Sequence, residues 1–269
     1  MIDHVRKYYD QDPEREWKRF ESGLCEIEYL TTLRLIERHF PERGRICDIG
    51  SGPGRYALEL AKREYSVTLL DISKRSIEFA QSIFKAQGVE AERFILGNAE
   101  DMNCFQDEYF DAALFLGPCY HIVEKNGRHK ALSELKRILK PNAVAIVAYL
   151  NSWGILRTGV VDFPHRFQNL EYVRSMFSEL VFEEPLSGFT VCYWSTPEIA
   201  ISEVEQVGFK VETYAGVEGF AAGMSPQIET LKETDPEAYS NLVEIAVESS
   251  VLPQYRDATD HIHIVVRKG

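Results

Sequence analysis

The 269-residue chain carries 30 basic against 42 acidic residues, a formal charge of -12, with 45% hydrophobic and 27% charged residues. That is ordinary globular composition, and a chain of this length buries roughly 75% of its unfolded surface without staples. The acidic balance and the lack of any Lys/Arg run argue against a nucleic-acid partner, which needs a basic footprint; the longest apolar run, "AVAIVAYL" at 143–150, falls far short of the ~18 residues of a membrane span.

Cys25, Cys47, Cys104, Cys119 and Cys192 form no CxxC pair. They read as small buried side chains of a reducing, cytoplasmic protein. The opening "MIDHVRKYYDQDPEREW" mixes both charge signs and has no apolar core, so it does not read as a signal peptide. No membrane partner is expected, and a homodimer is the oligomer considered.

In chain order, residues 1–20 are polar and aromatic. Leu24, Ile27, Leu30, Leu33, Ile36 and Phe40 recur at helical spacing, which predicts a helix over 21–40 stopped by Pro41 and Gly44. A strand at 45–49 precedes a glycine loop and a helix carrying Ala57, Leu60 and Ala61. A second strand at 65–71 leads into a helix capped by Ser73, with Ile77, Ala80, Ile83 and Phe84 inward and Gly88 at its end. Strands follow at 93–98 and 109–117, the latter apolar almost throughout, as a strand covered on both faces should be. A helix with Ala131, Leu132, Leu135, Ile138 and Leu139 on one side stops at Pro141, and "AVAIVAYLN" makes a fifth strand. Strand and helix alternating five times predict a parallel sheet with helices on both faces and right-handed crossovers.

Residues 152–195 break the rhythm with Trp153, Phe163, Phe167, Tyr172, Phe177, Phe182, Phe189, Tyr193 and Trp194. This stretch is too aromatic for a linker and too irregular for a sheet unit, so it reads as an insertion packed over the sheet's C-terminal edge. Thr196 caps a further helix that Gly208 ends, a strand follows, residues 217–260 are mostly helical and polar, and "HIHIVVRK" at 261–268 closes the chain as a strand. Without repeats or linkers, residues 1–269 read as one domain with insertions.

The loop in "ICDIGSGPGRYALEL" is the strongest local signal, because glycines at a strand-to-helix turn let backbone N–H groups approach a ligand. A P-loop would need a GK pair followed by Ser or Thr, which is absent. A dinucleotide fingerprint needs a third glycine where Arg55 stands after Gly50 and Gly52. Asp48, two positions before Gly50, repels a diphosphate and attracts an ammonium or sulfonium. Asp71 ends the second strand, 17 residues after Gly54, where a carboxylate accepts both hydroxyls of a ribose. That placement serves a nicotinamide or a sulfonium nucleoside equally.

"CDIGSGPGRYALEL", "LLD", "LGNAEDM" and "YFDAALFLGPCYHI", in that order, resemble the successive motifs of class I S-adenosylmethionine-dependent methyltransferases. The likeness is to a bacterial small-molecule group whose fourth strand ends in a GPLYHL-type sequence, and it extends to "YYD…EREWKRF" and to "HIHIVVRK". The resemblance implies an α/β, Rossmann-like sheet of seven strands in the order 3-2-1-4-5-7-6, the last antiparallel. It implies a helical lid over 1–40, a substrate-side insertion over 152–195 and a helical insertion over 217–260. It implies S-adenosylmethionine as cofactor and a small-molecule acceptor. Asp48, Gly50, Gly52 and Gly54 would surround the methionine part, Asp71 would hold the ribose, and Ile72 would lie under the adenine. Asn98 stands where the family often has Asp, with Ala99 and Glu100 bordering the adenine. Leu116 and Gly117 would lie near the transferred methyl, and Tyr9 and Arg19 would reach the cofactor from the lid.

A phenol or alcohol acceptor calls for a base. His121 follows the fourth strand, where substrate should arrive, and Tyr120 is beside it. Trp153, Arg157 and Trp194 are candidates for an apolar substrate wall. His4, His39, His129, His165, His261 and His263 read as surface or strand residues, and no His/Cys/Asp/Glu cluster suggests a metal. The competing readings are a nicotinamide-dependent oxidoreductase and a non-catalytic module that keeps the cofactor site.

Overall fold

The computed structural model describes residues 2–182 and 190–269, so Phe189 of the aromatic series lies outside it. The chain opens with α1 (Ile2–Gln11) and α2 (Pro13–Lys18), joined at Asp12, whose carboxylate accepts from Arg15 N at 3.0 Å and caps α2. A 3₁₀ turn at Arg19–Glu21 leads to α3 (Gly23–His39). Then follow β1 (Arg45–Ile49), α4 (Arg55–Lys62), β2 (Ser66–Asp71), α5 (Lys74–Gln87), β3 (Arg93–Leu96), β4 (Phe110–Phe115), α6 (Pro118–His121), α7 (Lys125–Ile138) and β5 (Leu139–Asn151). Ser73 caps α5 by accepting from Ser76 N, and Gly88 ends it in the left-handed conformation, both as expected.

Strands β3-β2-β1-β4-β5 pair in parallel. Side chains alternate between two cores. Ile46, Leu69, Ala112, Leu114 and Ile146 meet α3, α4 and α5 on one face. Cys47, Leu70, Ala113, Phe115 and Ala145 meet α7 on the other. The period of two along a strand converts each apolar run into two buried faces. Between β4 and β5 the register jumps from Phe110↔Leu139 to Ala112↔Val144; Pro141 and Asn142, the latter at φ 63°, fall in this bulge. The strand therefore starts four residues earlier than its apolar run.

After β5 come α8 (Ile155–Asp162), α9 (Leu170–Ser175), β6 (Leu180–Phe182), β7 (Cys192–Ser195), α10 (Pro197–Gln206), β8 (Phe209–Gly216), α11 (Ser225–Thr234), α12 (Pro236–Ser249), α13 (Pro253–Arg256) and β9 (His261–Lys268). The final strand is antiparallel to β5, and β8 is antiparallel to β9. The expected seven strands are nine, and the order differs accordingly, because the aromatic insertion contributes a hairpin. Leu150 of β5 pairs with both Trp194 of β7 and His261 of β9, so these strands flank it on opposite edges. β9 occupies the edge away from β4, and β7 therefore extends the β4 side, beyond the tip of β4. Of the cysteines, Cys47, Cys119 and Cys192 are buried, Cys25 is half-buried and Cys104 is exposed, because its loop between β3 and β4 runs at the surface. Among the described residues no helix is long and apolar enough to cross a membrane.

Gly54 sits at φ 82°, and an added Cβ would lie 2.8 Å from Leu69 Cδ2; Gly52, at φ 51°, would meet nothing within 4 Å. Gly54→Ala should therefore cost about 2–3 kcal/mol by urea denaturation at unchanged m, and Gly52→Ala only about 1 kcal/mol, from the backbone conformation alone.

Candidate functional site

Strand order reverses between β1 and β4: β2 and β3 follow on one side and β5 on the other. Helix-bearing crossovers diverge there and leave a crevice at the C-terminal strand ends. A cavity of about 430 Å³ opens at this point. The loop after β1 supplies Gly50, Ser51, Gly52 and Pro53; the tips of β2 and β4 supply Asp71, Ile72, Leu116 and Gly117. Asn98 and Ala99 close one end.

Asp48 is 2% exposed, and its Oδ2 has no hydrogen-bond partner among the described residues. Burial, and then the charge of Asp71, push its carboxyl up to about 7, against a backbone hydrogen bond from Ala57. Asp71 Oδ2 accepts from Gly52 N and its Oδ1 from Ser73 N, both at 2.7 Å. Burial raises it to about 6 despite these bonds. Each oxygen keeps a lone pair for a ligand hydroxyl. Asn98 Oδ1 accepts from Glu100 N at 3.0 Å, which shapes its loop.

Two expected contacts do not line the cavity. Gly54 lies behind it, against Leu69 and Ala80, so it serves helix–strand packing. Glu100 turns its carboxylate towards Gly127 of α7.

His121, on α6, is held from both sides. Its Nδ1 donates to Val191 O at 3.0 Å, which leaves Nε2 as acceptor for Tyr9 Oη at 2.7 Å. Burial pushes the imidazole down to about 4, so it is neutral. Tyr9 and His121 both face the cavity, Tyr9 on the imidazole. Tyr120 Oη donates to Leu116 O at 3.1 Å and packs edge-on to His121. The segment after α6 is fixed by Arg128, which is buried, pairs with Glu203 and donates to the carbonyls of Ile122 and Val123.

The N-terminal helix is clipped down. Asp10 Oδ1 accepts from Ser73 Oγ at 2.7 Å and from Arg75 N at 3.2 Å, and Arg75 Nη1 donates to Asp10 O. Ile2, Val5 and Tyr9 of α1 thereby line the cavity. Arg19 also lines it, but its guanidinium is bound bidentately by Glu28, at 2.5 and 2.9 Å.

The far end is walled by Ile122, Leu150, Ile155, Phe163 and Trp194. Of the three insertion candidates only Trp194 lines it; Arg157 donates to Ala222 O instead. The residue that sequence reasoning misses is His261, which lines the cavity with Nδ1 on Glu218 Oε1 at 2.7 Å. Burial opposes its charge, yet Glu28 and Glu218 raise it to about 9. Topology held the signal: an antiparallel last strand begins at the C-terminal edge of the parallel ones. Glu28, Glu218 and His261 offer ligand atoms within 4.8 Å of one another, a cluster invisible in the sequence spacing; Arg19 and the imidazolium already balance its two carboxylates.

Residues 46–142 match a family described as a methyltransferase domain. The protein is a methyltransferase, and S-adenosylmethionine is the methyl donor that its solved fold neighbours name. The methyltransferase is 23% identical over 241 residues to the tRNA 5-carboxymethoxyuridine methyltransferase of Escherichia coli (strain K12), covering 87% of this chain and 84% of that one. Its fold resembles an S-adenosylmethionine-dependent methyltransferase from Methanosarcina mazei, with a TM-score of 0.59, 19% identity and coverage of 87% of this chain and 96% of that one. It also resembles the Burkholderia thailandensis 1,6-didemethyltoxoflavin-N1-methyltransferase, solved with that compound and S-adenosylhomocysteine, with a TM-score of 0.58, 13% identity and coverage of 99% and 85%.

The residues present fit the cofactor: a buried carboxylate oxygen without a partner calls for a cation, and the space over Gly52 leaves room for it. The empty-protein value of Asp48 lies above the ordinary 3.8, so folding binds a proton there. Stability of the empty methyltransferase should fall as pH rises from about 4 to about 7. Adenosylhomocysteine, whose ammonium needs the ionised Asp48, should bind about tenfold more weakly at pH 6 than at pH 8. Calorimetry with Asp48→Asn, and with methylthioadenosine in place of adenosylhomocysteine, should show this pH dependence flattened.

Proposed function

We propose that the methyltransferase acts on a small-molecule acceptor seated between α8, β7 and the tips of β5 and β9. The observation that carries this reading is the acceptor end of the cavity. Its walls are mostly apolar, with Ile155, Phe163 and Trp194, and the arginines that face the cavity are committed: Arg19 to Glu28, Arg55 over the Trp17 ring at 4.6 Å. A polyphosphate chain finds no basic track there. The likeness to the tRNA enzyme favours the second reading, a nucleic-acid acceptor.

In this reading Asp48, Gly50 and Gly52 hold the amino-acid part of the cofactor, Asp71 the ribose, and Ile72, Asn98 and Ala99 the adenine. Leu116 and Gly117 border the methyl, and Arg19 stands at the carboxylate end. The bound cofactor supplies an electrophilic methyl on sulfur. The chain's own task is to orient a nucleophile and exclude water. Tyr9 and α1 cover the site, and Asp10 keeps them there. Neutral His121, its Nδ1–H fixed by Val191 O, presents Nε2 as a hydrogen-bond acceptor. Tyr9 Oη occupies that nitrogen, so an acceptor hydroxyl or N–H reaches it through Tyr9 or after Tyr9 turns aside. Tyr120 shapes the wall beside it.

Incubation with methyl-tritiated cofactor, a metabolite extract and bulk tRNA separates the two readings. Label is expected in the small-molecule fraction, and label in tRNA alone refutes the proposal. With the acceptor so found, His121→Gln should lower kcat about 100-fold with adenosylhomocysteine affinity unchanged, and Tyr9→Phe should lower kcat about tenfold.

A further inference from the structure

Four charged side chains form one group along the cavity: Arg19, Glu28, Glu218 and His261. Arg19 holds Glu28, His261 holds Glu218, and His261 also feels the charge of Glu28. Its two cationic members line the cavity and its two carboxylates do not. The side chains of Arg19 and His261 are 36% and 26% exposed, those of Glu28 and Glu218 only 8% and 4%. The group is neutral as a whole, but it shows the cavity its positive side.

His261 is fixed in place. Its backbone N–H and Nδ1 both donate to Glu218, and its carbonyl accepts from Val217 N at 3.1 Å and Thr259 Oγ1 at 3.0 Å. Its Nε2 has no hydrogen-bond partner among the described residues, and it is not among the buried unpartnered atoms, so it faces the open cavity. The imidazole is charged near neutral pH, held so by Glu28 and Glu218.

Position decides which ligand Nε2 meets. The loop and carboxylates that suit the cofactor lie at the tips of β1, β2 and β4. His261 begins β9, two strands past β4, which is roughly 10 Å between backbones at the spacing of neighbouring strands, and its ring stands 6.5 Å from that of Tyr120, on the acceptor side of the β4 tip. There it joins Leu150, Ile155, Phe163 and Trp194. Asp260, which also lines the cavity, accepts from Thr158 Oγ1 at 3.0 Å.

We infer that His261 is the specificity-determining residue for the acceptor, donating from Nε2 to the carboxylate of an apolar or aromatic acid whose body lies against the Ile155–Trp194 wall. The inference rests on the methyl-transfer reading and names the substrate class of that site.

The test uses benzoate, benzamide and benzylamine, titrated calorimetrically into the full-length protein loaded with adenosylhomocysteine. Benzoate should bind, and benzamide should bind about ten- to hundredfold more weakly, the worth of a charge-assisted hydrogen bond. His261→Gln should remove that preference while adenosylhomocysteine affinity stays as in the wild type. In the unsubstituted protein, benzoate should shift the ¹⁵N signal of His261 Nε2, a readout independent of how well the variant folds. No benzoate binding, a preference for benzylamine, a preference that survives His261→Gln, or a fall in adenosylhomocysteine affinity in that variant overturns the inference. Failure of the methyl-transfer reading shows separately, as no adenosylhomocysteine binding to the wild type, and benzoate titration of the unloaded protein still reads His261.

Discussion

Two carboxylates, Asp48 and Asp71, are buried at adjacent strand tips, and neither forms an ion pair among the described residues. Buried charge without a partner is costly, so the empty protein keeps both carboxyls partly protonated, with Asp48 raised the most. The tight glycine loop turns the Gly52 N–H onto Asp71 and those of Gly50 and Ser51 onto Leu70 O, so these amides are spent within the protein and not left for a diphosphate. Everything built round the crevice follows from that deficit: a ligand with a positive end completes it, and a ligand with two phosphates aggravates it.

The first half of this arrangement was legible in the residues. The alternation of strand and helix up to Asn151 dictates the parallel core, and the glycine spacing with Asp48 and Asp71 locates the crevice. Arg55, in place of a third dinucleotide glycine, stacks on Trp17 and faces Tyr29. The later half was less legible, for physical reasons. The strands of the β6–β7 hairpin are three and four residues long, too short to show a period. The charged group along the cavity assembles from residues far apart in sequence, Arg19, Glu28, Glu218 and His261, and no spacing rule joins them. Gly54 looked like a ligand contact because loop glycines are read together. Its Cβ direction, towards Leu69, is a tertiary fact.

The histidines divide by surroundings. His121 and His263 bond a carbonyl and a threonine hydroxyl, and loss of solvent holds both uncharged, in His263 against the pull of Glu28. His261, two residues from His263 on the same strand, is driven the other way by two carboxylates. One cavity therefore offers a neutral imidazole beside α1 and a charged one at β9, an acceptor and a donor of hydrogen bonds at separate points.

The hairpin is anchored by side chains, Tyr193 in the core against Arg128, more than by strand pairing. β7 pairs with β5 through Leu150 and Asn151 alone, past the point where β4 stops. The parallel registers that set the crevice do not run through it. An exchange of that segment in a descendant enzyme would redraw the chamber's far wall while the nucleoside cradle stayed intact. Diversification of substrate preference is thus mechanically uncoupled from retention of the methyl donor.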